Sequence, residues 1–167
     1  MSADGGPRAG EQEASGVSED RRPRPSEDQG PPPSEEYGPA AIDHFTAPRN
    51  VGTLERPDGT GADANPSCGD RTTITLRLAD GPIAQRRIVD VRFRTFGCTA
   101  AIAAASALTE LAAGETVAAA ERLAPADVLR ALGGLPARKE ACALMAVGAL
   151  RAALSDARVR AGGGRAG

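Results

Sequence analysis

The chain has no tryptophan, one tyrosine and three phenylalanines in 167 residues. Without large rings to anchor it, a core must be filled by aliphatic side chains and alanine, with closely packed helices. Charge of one sign is lacking too: 20 Lys and Arg face 22 Asp and Glu, a formal net charge of −2. That balance gives no polyelectrolyte signal for nucleic acid or for a membrane surface. The longest apolar run is mostly alanine and is broken by Ser106 and Thr109, well short of a membrane span. The N-terminus lacks an apolar h-region, and Arg21-Arg22 is followed by Pro-Arg-Pro, so no secretory or twin-arginine signal is expected. The three cysteines are an odd number, which argues against a disulfide framework. The expectation is a cytoplasmic protein whose thiols are kept reduced.

What is present divides unevenly along the chain. Residues 1–39 hold seven of the 13 prolines, many Gly and Ser, and acidic pairs at Glu19-Asp20, Glu27-Asp28 and Glu35-Glu36. Through residue 40, nine acidic side chains face four basic ones (−5), which leaves 16 basic against 13 acidic (+3) for the rest. So little apolar surface cannot offset the entropy of ordering the segment. The expected organisation is a disordered acidic tail over 1–39, one domain over 40–158 and a flexible Gly/Arg tail over 159–167. The length suits a single core.

Within that domain, Ile42-Asp43-His44-Phe45 predicts a short amphipathic helix stopped by Pro48. Arg49 to Gly52 is turn-like, and Asp58 to Asn65 reads as a glycine-rich loop. Thr73 to Leu78 alternates cleanly, with Ile74, Leu76 and Leu78 on one face. Asp80-Gly81 signals a hairpin, lengthened by Pro82. A second strand is expected from about Arg87 to Thr95, with Val89, Val91 and Phe93 inward. After Cys98 the period becomes helical through Ile102, Ala105, Leu108, Thr109 and Ala112, and Gly114 supplies the stop. Short helices are expected at Thr116 to Leu123 and from Pro125 to Gly133-Gly134. A last helix follows Leu135-Pro136, with Cys142, Met145, Ala149, Leu150 and Ala153 on one stripe and a Gly/Arg fray from Ala161. Strands first and helices afterwards predict an α+β fold: a small antiparallel sheet of about three strands with helices packed on one face.

A free cysteine is ordinarily a small buried hydrophobe, an aspartate at a strand start is ordinarily a turn residue, and a lysine at a helix start is ordinarily solvated. The settings here differ from that pattern. Cys68 lies in the loop Pro66-Ser67-Cys68-Gly69-Asp70, Cys98 on the strand-to-helix turn Arg94 to Ala101, and Cys142 in the first turns of the last helix. Cys98, a thiol at the first turn of a helix, sits in the positive end of the macrodipole, which favours its thiolate. Lys139, three residues before Cys142, is the only lysine in the chain, and a compact ammonium donates differently from a guanidinium.

Asp43-His44-Phe45, Pro48 to Gly52, Cys68-Gly69-Asp70, Phe93 to Cys98, and Gly133-Gly134-Leu135-Pro136 with Cys142 occur in this order. Together they resemble the NifU/IscU-type iron–sulfur cluster assembly scaffolds over about residues 41–155, nearer the NifU branch. The resemblance implies a SufE/NifU-like fold and a scaffold rather than an enzyme. It would bind Fe2+, accept sulfur from a cysteine desulfurase and pass a transiently held [2Fe–2S] or [4Fe–4S] cluster to apo-proteins. It also implies that Cys68, Asp70, Cys98 and Cys142 hold the metal, that Cys142 accepts the persulfide and that Lys139 assists it. A homodimer around one cluster is a further implication. Soft thiolates suit iron–sulfur centres and zinc alike.

Two departures matter. Ala141 stands where the family usually has a histidine, which predicts weaker Zn2+ binding by the apo form. Leu135-Pro136-Ala137-Arg138-Lys139 departs from the family's Leu-Pro-Pro-Val-Lys pattern, which argues against delivery through a specialised Hsp70 chaperone. Full-length NifU has further cysteine-bearing domains, so the expectation here is at most the scaffold module. Two other functions carry the same residues: a zinc-dependent sulfur acceptor of the SufU kind, and a desulfurase-binding regulator without a cluster.

Overall fold

A computed structural model describes residues 36–164. Helix α1 (Pro39–Thr46) precedes the strands β1 (Gly59–Ala64), β2 (Arg71–Leu78) and β3 (Ile88–Phe96). Helices α2 (Thr99–Ala112), α3 (Val117–Ala120), α4 (Pro125–Ala131) and α5 (Ala141–Gly163) follow. The strands form one antiparallel sheet in the order β1-β2-β3. Ile74, Leu76 and Leu78 of β2 and Val91 and Phe93 of β3 are buried on the face covered by α2 and α5, while Arg71, Arg77 and Arg94 are exposed. The α+β architecture with helices on one face is therefore the one observed. Among the described residues no helix is long and apolar enough to cross a membrane.

The stretch expected as a glycine-rich loop is instead the edge strand β1, and its glycines explain both the misreading and the fold. A Cβ built on Gly59 would collide with the backbone of Ala153, and one on Gly61 with the backbone of Ala149 and Ala153. Gly148 of α5 is equally tight against the Asp63 side chain. Helix α5 thus lies backbone to backbone on β1, an approach that only glycine and alanine permit. This seam is how an aromatic-poor chain closes its core.

A second correction concerns β3. Leu78 pairs with Ile88 but Arg77 with Asp90, so Val89 is an extra residue in a β-bulge. The bulge turns Val89 outward, 60% exposed, and brings Ile88 into the core at 1%. The alternation is sound from Val91 onward and fails two residues earlier, at Val89.

Helix α2 is buried almost all round by Ala100, Ala101, Ala103, Ala104, Ala105, Leu108 and Ala112, as a helix packed on several sides should be. Its two polar core residues knit it to α1 and to the turn that follows α1. Ser106 Oγ lies 2.8 Å from His44 Nδ1 and accepts the Arg49 N–H at 2.9 Å, and Asn50 Nδ2 donates to Thr109 Oγ1 at 3.2 Å. Gly114 ends the helix with φ +79. The expected stripe of α5 is buried at Cys142, Met145, Ala149, Leu150 and Ala153.

Ordered elements reach past the expected boundaries at both ends. The acidic tail was expected to run to residue 39, yet Glu36 pairs with Arg138, Tyr37 is 8% exposed within the core, and α1 begins at Pro39. The C-terminal tail was expected from residue 159 with fraying from Ala161, yet α5 continues to Gly163. The rest of the two expected tails, residues 1–35 and 165–167, lies outside the described residues.

Candidate metal centre

Three segments distant in sequence meet at one end of the sheet. The β1–β2 hairpin is closed by the Asn65 N–H donating to the Asp70 carbonyl at 2.8 Å and the Gly69 N–H donating to the Asn65 carbonyl at 2.9 Å. The Asn65 side chain accepts the Ser67 N–H at 3.0 Å, an Asx turn, and Gly69 takes φ +74. This hairpin aims Asp70 inward, 8% exposed, and leaves Cys68 exposed. From the second segment comes Cys98, the N-cap of α2, in extended backbone and half-buried, with its side chain making no capping bond. From the third comes Cys142, the second residue of α5 and 2% exposed, reached through a 3₁₀ turn over Ala137–Lys139.

Asp70, Cys98 and Cys142 form a cluster in which one potential ligand atom of each lies within 4.8 Å of the others. The two sulfurs are 3.9 Å apart, and the Cys98 N–H faces Asp70 Oδ2 at 3.5 Å. Two thiolates on one tetrahedral metal at about 2.3 Å are separated by nearly the same distance. Cys68 is not part of the cluster. The donor set, two soft sulfurs and one hard oxygen, fits iron or zinc better than calcium or magnesium.

Burial pushes the Cys142 thiol up to about 12; the Cys98 sulfur and the Asp70 carboxylate beside it add to that, and Lys139 opposes it. In the metal-free protein this thiol is therefore held in its protonated form. Lys139 does lie beside the sulfurs. Burial works against its charge, but the Cys98 sulfur, as charge and hydrogen-bond acceptor, together with Tyr37 and Cys142, holds it above the ordinary ammonium range.

Two residues of the site were assigned no role from the sequence. Tyr37 sits close enough to Lys139, Cys98 and Cys142 to be influenced by all three, and its phenol is raised mainly by burial. Its only signal was being the sole tyrosine, at the border of a Pro/Gly-rich segment. Gly97 packs directly against Asp70, which is invisible until the two segments meet. His44 lies on α1, bonded to Ser106 and facing Glu110, and supplies no ligand to the cluster. Ala141 borders a cleft of 240 Å³ shared with Asn65, Pro66 and Leu144 at the foot of the hairpin. Two large apolar side chains near the thiols face solvent, Phe96 at 84% and Leu144 at 61% exposure.

The family model of the NifU-like N-terminal domain matches residues 36–162. The chain belongs to that family. The matched range includes the whole cluster. Among relatives, the iron–sulfur cluster assembly scaffold protein IscU 1 of Archaeoglobus fulgidus is 47% identical over 115 residues, 69% of this chain and 72% of that protein. The iron–sulfur cluster assembly scaffold protein IscU of Aquifex aeolicus is 42% identical over 115 residues, 69% of this chain and 71% of that protein. The crystal structure of the N-terminal part of a nitrogen-fixing NifU-like protein from Brucella abortus superposes with a TM-score of 0.56. It covers 75% of this chain and 96% of its own at 17% identity, a likeness of fold.

Proposed function

We propose that this NifU-like domain is an iron–sulfur cluster assembly scaffold whose cargo is held by Cys68, Asp70, Cys98 and Cys142. The observation that carries the reading is the convergence of Asp70, Cys98 and Cys142 within 4.8 Å from three separate segments, in a chain whose relatives are scaffold proteins. Iron enters as substrate. Its charge favours the thiolate of Cys142, which is otherwise protonated. Cys142 then attacks the outer sulfur of a persulfide carried by a cysteine desulfurase, forming an S–S bond here while the desulfurase thiolate leaves. Two electrons from an external electron-donor protein then cleave that bond to the Cys142 thiolate and the sulfide of the cluster. Lys139, in the turn before Cys142, stabilises the developing anionic sulfur. Exposed Cys68 swings in on its hairpin as the third thiolate. Asp70 is the hard, weakly held oxygen corner through which a [2Fe–2S] or [4Fe–4S] cluster is released to apo-proteins. Exposed Phe96 and Leu144 suit a surface that delivering and receiving proteins cover in turn. On this reading the domain is a carrier rather than a catalyst and works in the cytoplasm. Its divergent Ala137 and Arg138 argue against hand-off through a specialised Hsp70, and a homodimer sharing one cluster is compatible with a site at the surface.

The test is anaerobic reconstitution with ferrous iron, cysteine and a cysteine desulfurase, followed by transfer to an apo-ferredoxin. A visible chromophore that forms on the domain and then moves to the ferredoxin is expected. A domain that binds the desulfurase but develops no chromophore would instead be a regulator. A second reading, a zinc-based sulfur acceptor, draws on the 3.9 Å sulfur separation already set for one tetrahedral ion. Stoichiometric zinc retained through reconstitution, with no iron taken up, would favour it.

A further inference from the structure

We infer that Gly97 is the positioning residue for Asp70: by having no side chain, it provides the slot that holds the Asp70 carboxylate at the metal centre. The inference rests on the cluster-holding reading only for its consequence in cargo release; its structural part stands on packing. A Cβ built on Gly97 would lie 2.7 Å from Asp70 Cγ, 3.0 Å from Asp70 Cβ and 3.1 Å from the Ala101 Cβ. Carbon atoms do not approach to 2.7 Å without something moving.

Conformation is not the reason for glycine here. Gly69, on the hairpin, has φ +74 and nothing within 4 Å of a built Cβ, so it serves the backbone. Gly97 is absent from the glycines with positive φ, and its added Cβ meets three atoms. It serves space. The distinction separates two glycines that look alike in the sequence, each one residue from a site residue.

Hydrogen bonding alone does not hold the carboxylate. Its polar partner is the Cys98 N–H at 3.5 Å, a long contact, so packing in the slot beside Gly97 defines its place. Ala101, 0% exposed on the first turn of α2, closes the opposite wall. A methyl group at 97 therefore cannot relieve itself toward the helix. The Asp70 side chain, with two rotatable bonds, is what yields. Gly97→Ala should turn the carboxylate out while Cys98 and Cys142 stay on their own helix starts, reproducing Asp70→Ala in a protein that still contains the aspartate.

The experiment is a double-mutant cycle on the full chain with wild type, Gly97→Ala, Asp70→Ala and the double variant. In the metal-free proteins, urea unfolding should show Gly97→Ala lowering the folding equilibrium constant at least ~5-fold in the wild-type background. In the Asp70→Ala background the loss should be clearly smaller, because Cγ is gone. Cobalt(II) binding supplies a readout that a purely structural role would not move. Gly97→Ala should keep the sulfur-to-cobalt charge-transfer band yet show the ligand-field bands of Asp70→Ala, not those of wild type. In reconstituted protein, cluster lifetime in Gly97→Ala should match Asp70→Ala, and the double variant should add nothing.

An equal stability penalty in both backgrounds, or wild-type ligand-field bands in Gly97→Ala, would overturn the inference. If Gly97→Ala does not fold, a folded double variant supports the inference, and an unfolded one overturns it by locating the crowding elsewhere. If wild type forms no cluster, the scaffold reading fails while the stability cycle still decides the role of Gly97.

Discussion

The hairpin tip that carries Cys68 and the helix start that carries Cys142 serve one proposed site from opposite kinds of surroundings. Residues 65–70 are held by a few backbone bonds and an Asx turn, with Cys68 exposed. Cys142 begins the helix whose later residues lie backbone to backbone on β1, and it is 2% exposed. One thiol is presented outward on a small hinge; the other is part of the core. On the proposed scaffold reading, the difference is a division of labour: a pair of sulfurs held 3.9 Å apart, and a third donor on the hairpin that would close over incoming cargo and open again.

The most damaging test of the fixed half is Gly61→Val. The added side chain would enter the backbone of α5, so about 3 kcal/mol or more of folding stability should be lost, the upper range for overpacking. Urea unfolding measures it, and a near-neutral result would mean that the seam is loose. Next in size is thiol reactivity in the native metal-free protein. Mass spectrometry after limited iodoacetamide treatment should find Cys68 modified at least ~10-fold faster than Cys142, because burial hinders access to Cys142 and keeps its thiol protonated. Comparable rates would erase the contrast between the two regions.

Smaller still is the stability cost of removing each sulfur. Cys142→Ala should cost about 1 kcal/mol, the scale for one buried group, and Cys68→Ala less than about 0.5 kcal/mol, as for an ordinary surface change. The smallest effect lies outside both regions, at the α1–α2 junction. Burial first, then Arg49, lowers the His44 pKa from 6.5, with Glu110 and Asp43 opposing. The unfolded chain therefore takes up this proton first as the pH falls. The contribution is intact above pH 6.5 and is lost as pH drops through the lower folded value. His44→Gln should flatten that part of the stability profile, and an unchanged slope would remove His44 as its source.

The contrast between the two regions also separates what could be read in the sequence from what could not. Alternation at Ile74, Leu76 and Leu78 and helical spacing after Cys98 report local periodicity, and both are present in the fold. The close approach of α5 to β1 involves Gly59, Gly61 and Gly148, about 90 positions apart in the chain. Read locally, the first two glycines signal a loop. Val89 points outward because β2 and β3 slip by one residue at Arg77/Leu78, a property of the pair rather than of either strand. Motif order marked Asp70, Cys98 and Cys142, and the fold brings them together. Tyr37 escaped because the sequence before it is rich in Pro, Gly and acidic residues, and Gly97 because its reason for being glycine lies 27 positions earlier, at Asp70.

The most direct test of the central claim is cysteine protection on loading. Native protein would be alkylated before and after anaerobic reconstitution, and modification at each thiol counted by mass spectrometry. The account predicts that Cys68, the most reactive thiol in the metal-free state, becomes protected together with Cys98 and Cys142 once iron and sulfide are bound. A loaded protein in which Cys68 still reacts at its metal-free rate would contradict it, because the hairpin would then stand open beside a cluster that it does not help to hold.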